Sequence, residues 1–172
     1  MKKLLVVVDM QNDFVSGALG SEEAVKILPT VKELIAREQA AGAEIVFTMD
    51  THGENYLSTA EGKRLPVLHC IKGTAGWEII PALSAYAEHA RRFEKPVFGS
   101  IELAEYARQN SYDEIALCGV CTDICVISNA ILLKAYCPET PITVYEKACA
   151  GTSSAAHDAS LIAMRSCHIS VE

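Results

Sequence analysis

Five consecutive apolar residues, Leu4 to Val8, stop abruptly at Asp9. An unbroken run suits a strand covered on both faces, as in a parallel sheet, because a strand with one wet face would alternate. Parallel strands cannot be joined by hairpins, so each must be followed by a crossover, usually a helix. The rest of the chain has that form. Ala24 to Ala41 carries Ile27, Leu28, Val31, Leu34 and Ile35 at helical spacing and stops at Gly42. Glu44 to Met49 reads as a second strand, ended by Asp50, and Arg91 to Lys95 as a third, closed by Pro96, after a short helix around Glu78 to Glu88. Ser100 is placed to cap a helix from Ile101 to Gln109. Ile115 to Cys118 is a fourth strand, and a helix from Ile124 to Tyr136 follows, with Thr122 or Asp123 as its cap and Pro138 beyond its end. Ile142 to Tyr145 gives a fifth strand. Ser153 or Ser154 caps a helix to about Met164, and His168 to Val171 forms a terminal strand. This alternation predicts an α/β three-layer α/β/α sandwich around a six-stranded, mainly parallel sheet with right-handed crossovers.

The chain of 172 residues is expected to form a single domain, residues 1–172. A formal net charge of -7 argues against nucleic acid or an anionic membrane as partner and leaves a small soluble ligand. Seven cysteines are an odd number in a chain long enough to need no staples, so reduced thiols and a cytoplasmic location are expected. The basic start Met1-Lys-Lys precedes an apolar run too short for a signal segment or a membrane span.

Asp9, Asp50, Lys95 and the turn holding Cys125 all follow strands, so a parallel sheet gathers them at its carboxyl edge, where open α/β sheets bind ligands. Cys125 falls at the start of a helix, where unpaired N–H groups and the macrodipole favour a thiolate and can hold an oxyanion. It is the candidate nucleophile. The competing reading is a buried structural cysteine. Asp9 can take and return a proton and Lys95 can hold two anionic partners together, although either alone reads as a loop cap or a surface lysine. Asp13 is a rival for the acid role. Residues 50 to 76 lack any sustained period and form a long loop carrying Asp50, His52 and His69, a carboxylate and two imidazoles suited to Zn, Fe or Mn, with Glu61 as a further candidate ligand; solvated surface groups are the alternative. Cys121 and Cys125 could instead form a redox pair, but three residues separate them. Phe14, Trp77 and Phe98 are candidate walls for a pocket of amide or pyridine size.

Taken together, Val8-Asp-Met-Gln-Asn-Asp-Phe14, Phe93-Glu-Lys-Pro-Val-Phe-Gly-Ser100 and Gly119-Val-Cys-Thr-Asp-Ile-Cys-Val126 resemble the isochorismatase-like cysteine hydrolases over nearly the whole chain. The resemblance implies a Rossmann-like sheet in the order 3-2-1-4-5-6 and a triad on Asp9, Lys95 and Cys125. It also implies a cis peptide before Cys121 that turns the N–H groups of Cys121 and Cys125 towards a substrate oxygen. Asp50-Thr-His52 with His69-Cys-Ile-Lys-Gly-Thr-Ala-Gly76 is similar to the metal-binding loop of nicotinamidases, in which the ion holds the pyridine nitrogen.

What the resemblance implies is a metal-dependent amidohydrolase, expected to convert nicotinamide to nicotinate and ammonia through a thioester. That places it in NAD salvage and pyridine nucleotide biosynthesis, with zinc as the expected ion and Fe or Mn as alternatives. Another cysteine amidase acting on a small carboxamide or ureido compound remains open, as does a non-catalytic small-ligand or metal-binding protein on the same fold. The expected partners are a small amide substrate and, as a homo-oligomer, further copies of the chain.

Overall fold

The computed structural model describes residues 1–172. Six strands form one sheet: β1 (Lys3–Val8), β2 (Glu44–Asp50), β3 (Arg91–Lys95), β4 (Glu114–Val120), β5 (Ile142–Ala150) and β6 (Ser170–Val171). Their order is β3-β2-β1-β4-β5-β6, with every neighbouring pair parallel, as the resemblance implied. The central strands explain the unbroken apolar runs. Leu4 to Val8 of β1 and Ile115 to Cys118 of β4 are wholly buried whichever way their side chains point, so helices cover both faces.

Those helices are α1 (Asn12–Val15), α2 (Glu22–Lys26), α3 (Leu28–Ala40), α4 (Ser84–Ala87), α5 (Ile101–Asn110), α6 (Ile127–Tyr136) and α7 (Ser154–Ser166). Helices α5, α6 and α7 pack side by side, while α3 lies against β2 and β5. Ser100 and Ser153 cap α5 and α7 through their hydroxyls, as their positions predict. The helix expected over Ala24 to Ala41 is broken at Ile27, because Pro29 has no N–H to continue the ladder and is tolerated only in the first turn of α3. The segment near Glu78 to Glu88 is a 3₁₀ turn at Pro81–Leu83 followed by α4. No helix is long and apolar enough to cross a membrane.

The nucleophile candidate is not in an α-helical first turn. Thr122–Val126 forms a π-helical turn in which the Cys121 carbonyl accepts from the N–H groups of both Ile124 and Val126, and α6 begins only at Ile127. Neither predicted cap works as one. The Thr122 hydroxyl bonds His157 Nδ1 at 2.8 Å, and the Asp123 carboxylate accepts from the backbone N–H of Thr152 at 2.8 Å, tying the turn to the end of β5.

Just before this turn the backbone of β4 needs a glycine. Gly119 has φ +115°, and a Cβ there would collide with the Val8 carbonyl oxygen on β1. The two strands that deliver Asp9 and Cys125 approach each other through that gap. Gly119→Ala should therefore lower stability by at least about 1–3 kcal/mol, the usual cost of a strained backbone position, read as a drop in the urea midpoint. An unchanged midpoint would contradict this packing.

Candidate active site

At the carboxyl edge, Asp9, Lys95 and Cys125 converge from three strands. Lys95 Nζ lies 2.7 Å from Asp9 Oδ2, 3.4 Å from Cys125 Sγ and 3.4 Å from Asp50 Oδ1. Asp9 and Lys95 are 0% and 1% exposed, so this ion pair is sealed from water. Asp9 also has a left-handed backbone, φ 49°, held by its N–H bond to the Thr48 carbonyl and by the Gln11 N–H donating to its own carbonyl. One carboxylate oxygen is fixed by the Thr48 hydroxyl, which donates to Oδ1 at 2.6 Å. The other, Oδ2, meets the Lys95 ammonium at 2.7 Å and accepts from no neutral donor.

Burial pushes the Asp9 carboxyl above its ordinary range, the Lys95 charge opposes this, and Asp50 adds to it. Burial likewise pushes the Cys125 thiol well up, reinforced by Asp9 and resisted by Lys95. For Lys95, burial works against the charge, yet Asp9, Cys125 and Asp50 outweigh it and the ammonium holds its proton more firmly than usual. Burial beside Asp9 thus works against the thiolate that a helix start would favour.

Cys121 is joined to Val120 by a cis peptide. Its N–H donates to no group of the protein, which leaves a donor free beside Cys125. The Cys125 carbonyl is clamped by Asn129, whose side-chain N–H₂ donates to it at 2.8 Å and to the Phe98 carbonyl at 3.1 Å, while Oδ1 accepts from Ser100 N–H at 2.9 Å. Asn129 thus fixes the turn of Cys125 against the loop that leaves Lys95.

The long loop brings its candidate ligands together. Ligand atoms of Asp50, His52, Glu61 and His69 all lie within 4.8 Å of one another. Asp50 Oδ2 is 2.9 Å from His52 Nε2 and 3.4 Å from His69 Nε2, and Glu61 Oε1 is 3.8 Å from each ring. His69 Nδ1 faces the Val67 carbonyl at 2.8 Å; a carbonyl only accepts, so Nδ1 carries the proton and Nε2 keeps its lone pair for an ion. Two carboxylates and two imidazoles aimed at one point fit a borderline divalent cation, and Asp50, His52, Glu61 and His69 would hold it. Despite burial, which alone would raise it, the Asp50 carboxyl is drawn well below the usual range when the His52 and His69 rings carry a proton on Nε2 and donate to it, contacts that an ion on those nitrogens would replace.

A cavity of about 520 Å³ joins the two groups, lined by Phe14, Leu65 and Phe98 and floored by Val120, Cys121 and Cys125. Trp77, expected as a wall, is not one. Its indole N–H donates to Thr51 Oγ1 at 2.9 Å and its carbonyl accepts from Gln11, so it braces the loop behind Asp50. Asp13 is also taken out of contention: its Oδ2 accepts from Cys70 N–H at 2.8 Å and fixes the same loop.

Several residues that position these groups were not picked out from the sequence. Thr48 is the one hydroxyl in an otherwise apolar stretch of β2, a legible signal. Gln11 grips the backbone of Asp50 on both sides, donating to its carbonyl and accepting from its N–H, each at 2.8 Å. Tyr56 packs its ring against both imidazoles, with centroids 4.6 Å from His52 and 4.9 Å from His69, and donates to the Leu65 carbonyl. Cys118 and Cys121 stand in Cys-x-x-Cys spacing, but all seven cysteines are free, and Cys118 lies fully buried in β4 with its thiol pushed well up by burial. The remaining histidines, His89, His157 and His168, lie outside this cluster.

This parallel sheet with its helices on both faces defines an α/β protein whose site gathers at one sheet edge, and the isochorismatase domain model matches residues 3–171. The chain belongs to the isochorismatase family. It is 31% identical over 173 residues to the isochorismatase family protein PncA of Bacillus subtilis, covering 91% of each chain. It is 27% identical over 143 residues to the nicotinamidase/pyrazinamidase of Mycobacterium tuberculosis, covering 74% of this chain and 76% of that one. Among solved structures it resembles a Pyrococcus horikoshii pyrazinamidase in complex with zinc, with a TM-score of 0.85 and 31% identity over 99% of this chain and 98% of that one.

Two measurements test the electrostatics of the site. Replacing Lys95 by Met strands a buried carboxylate, so stability should fall by about 3–5 kcal/mol and recover in part when Asp9→Asn is added. Additive losses in a denaturation cycle would show that the pair is not coupled. The pH profile carries a sign. A protonated Asp9 cannot accept the thiol proton, and its pKa is raised, so kcat/KM should fall on the acid side at a pH above the ordinary aspartate value of about 3.9. An acid limb at or below that value would contradict the reading.

Proposed function

We propose that this hydrolase of amide C–N bonds converts nicotinamide to nicotinate and ammonia, with Cys125 as nucleophile, Asp9 as acid and base, and Lys95 as their electrostatic clamp. One observation carries the reading: Asp50 and Glu61 of the four-residue cluster line the same apolar cavity as Cys125. The names of the relatives support it, since several are nicotinamidases. A divalent ion bound by the four residues supplies a Lewis-acid point for the ring nitrogen of the substrate.

The chain's own groups carry the rest. Phe14, Leu65 and Phe98 enclose the ring and exclude water, and the amide carbon rests over Cys125 Sγ. Asp9, its charge balanced by Lys95, takes the thiol proton as sulfur attacks the carbonyl. The ammonium of Lys95 offsets the charge on sulfur as it develops. The carbonyl oxygen turns to the free N–H of Cys121 and to that of Cys125. Asp9 then returns the proton to the departing nitrogen, leaving a thioester on Cys125. Asp9 next deprotonates a water that cleaves the thioester and restores the thiol. Free cysteines throughout the chain suit a reducing, cytoplasmic setting for this chemistry.

Ammonia release from nicotinamide by the purified protein, before and after dialysis against a chelator, is the direct test. Turnover should be seen, should fall at least about tenfold on chelation, and should return with a divalent ion. Cys125→Ala should reduce it to background. A metal-replete protein that leaves nicotinamide intact would refute the substrate, and full activity after verified metal removal would refute the ion's role.

A further inference from the structure

The cavity is larger than its proposed substrate needs. Nicotinamide has about nine non-hydrogen atoms, well short of drug size, whereas the cavity of about 520 Å³ falls within the range of roughly 300–1,000 Å³ that ordinarily takes drug-sized ligands.

The sheet order shows where the surplus lies. Asp50 ends β2, while Cys121 and Cys125 follow β4, two strands away across β1. The cavity continues past them to β5, where Ala150, Gly151 and Thr152 line it. Helix α2 packs against β5, and Leu19, Gly20, Ser21 and Ala24 close this end from above. Neighbouring strands are about 4.8 Å apart, so the far end lies one strand spacing beyond the nucleophile, on the side away from Asp50.

A carboxamide whose ring lies at the Asp50 end and whose carbonyl carbon meets Cys125 directs its oxygen to the backbone N–H of Cys121. In the trans form of a secondary amide the nitrogen substituent lies on the same side as the oxygen, so it projects past Cys121 towards β5. We propose that the β5 end is a leaving-group subsite, so that the protein also cleaves N-substituted aromatic carboxamides whose amine carries an apolar group. The inference rests on the nicotinamide reading for the placement of the ring. The walls suit such a group: Leu19, Ala24 and Ala150 are apolar, and the Ser21 and Thr152 hydroxyls are already engaged with Ala24 N–H and Asp123. The chemistry balances as for the primary amide. Sulfur bonds the carbonyl carbon, the C–N bond breaks, and the amine leaves with the proton from Asp9. Water then adds to the thioester, giving the acid and restoring the thiol.

N-benzylnicotinamide and nicotinamide compared on the metal-replete protein, with nicotinate and benzylamine quantified by chromatography, test the proposal. The kcat/KM values should agree within about a hundredfold, whereas a closed site would discriminate more strongly. In a second measurement, the dissociation constants of both amides are determined on Cys125→Ala by titration calorimetry, with and without Leu19→Trp. N-benzylnicotinamide should bind at least as tightly as nicotinamide, and Leu19→Trp should weaken it at least about tenfold more. A larger gap in kcat/KM, weaker binding of the benzyl amide, or no selective effect of Leu19→Trp overturns the subsite. Intact nicotinamide in the first assay would instead count against the parent reading, while the binding series still reports on the subsite.

Discussion

A carboxylate and an ammonium 2.7 Å apart, both fully buried, are the contact on which the site depends. Each alone would cost several kcal/mol to bury, so neither residue can hold its charge there without the other. Fold geometry makes lysine the suitable cation. Lys95 ends an outer strand and must reach past β2 to Asp9 on β1, which a long flexible stem allows. At the tip, a compact ammonium with three rotatable donors meets Asp9, Asp50 and Cys125 Sγ at once, where the flat fork of an arginine would match only one carboxylate.

The state of Cys125 follows from that arrangement. Burial and the charge of Asp9 keep sulfur protonated, while Lys95 limits how far its pKa climbs. In the proposed reaction, a proton moving from sulfur to Asp9 redistributes charge within a cluster that already holds its counterion. Thr48 holds one Asp9 carboxylate oxygen and Lys95 the other. Asn129 does the same for the cysteine, locking its carbonyl to the Phe98–Ser100 loop.

Much of this was legible in the sequence because it depends on strand ends. Continuous apolar runs mark buried parallel strands, and their last residues, Asp9, Asp50 and Lys95, must share one edge. The sheet order and the cis peptide at Cys121 came from the family resemblance, as periodicity carries neither. What escaped was side-chain direction inside irregular backbone. Trp77 lies in a stretch without period, so nothing local showed that its indole would bond Thr51 instead of facing the cavity. Thr122 and Asp123 have the composition of caps, but the π-helical turn sends them to His157 and Thr152. Gln11 and Tyr56 act through partners about 40 residues away or across a loop, and single-residue propensity holds no record of such contacts.

If this buried charge cluster sets the reactivity, Cys125, of seven thiols, is the one that carries the acyl group. Acid quenching during steady turnover of nicotinamide, followed by intact mass and peptide mapping, measures where that group sits. A nicotinoyl adduct should be confined to the peptide containing Cys125 and be lost as substrate is exhausted. Turnover with no adduct under conditions that preserve thioesters, or an adduct on Cys121 or another thiol, would contradict that assignment.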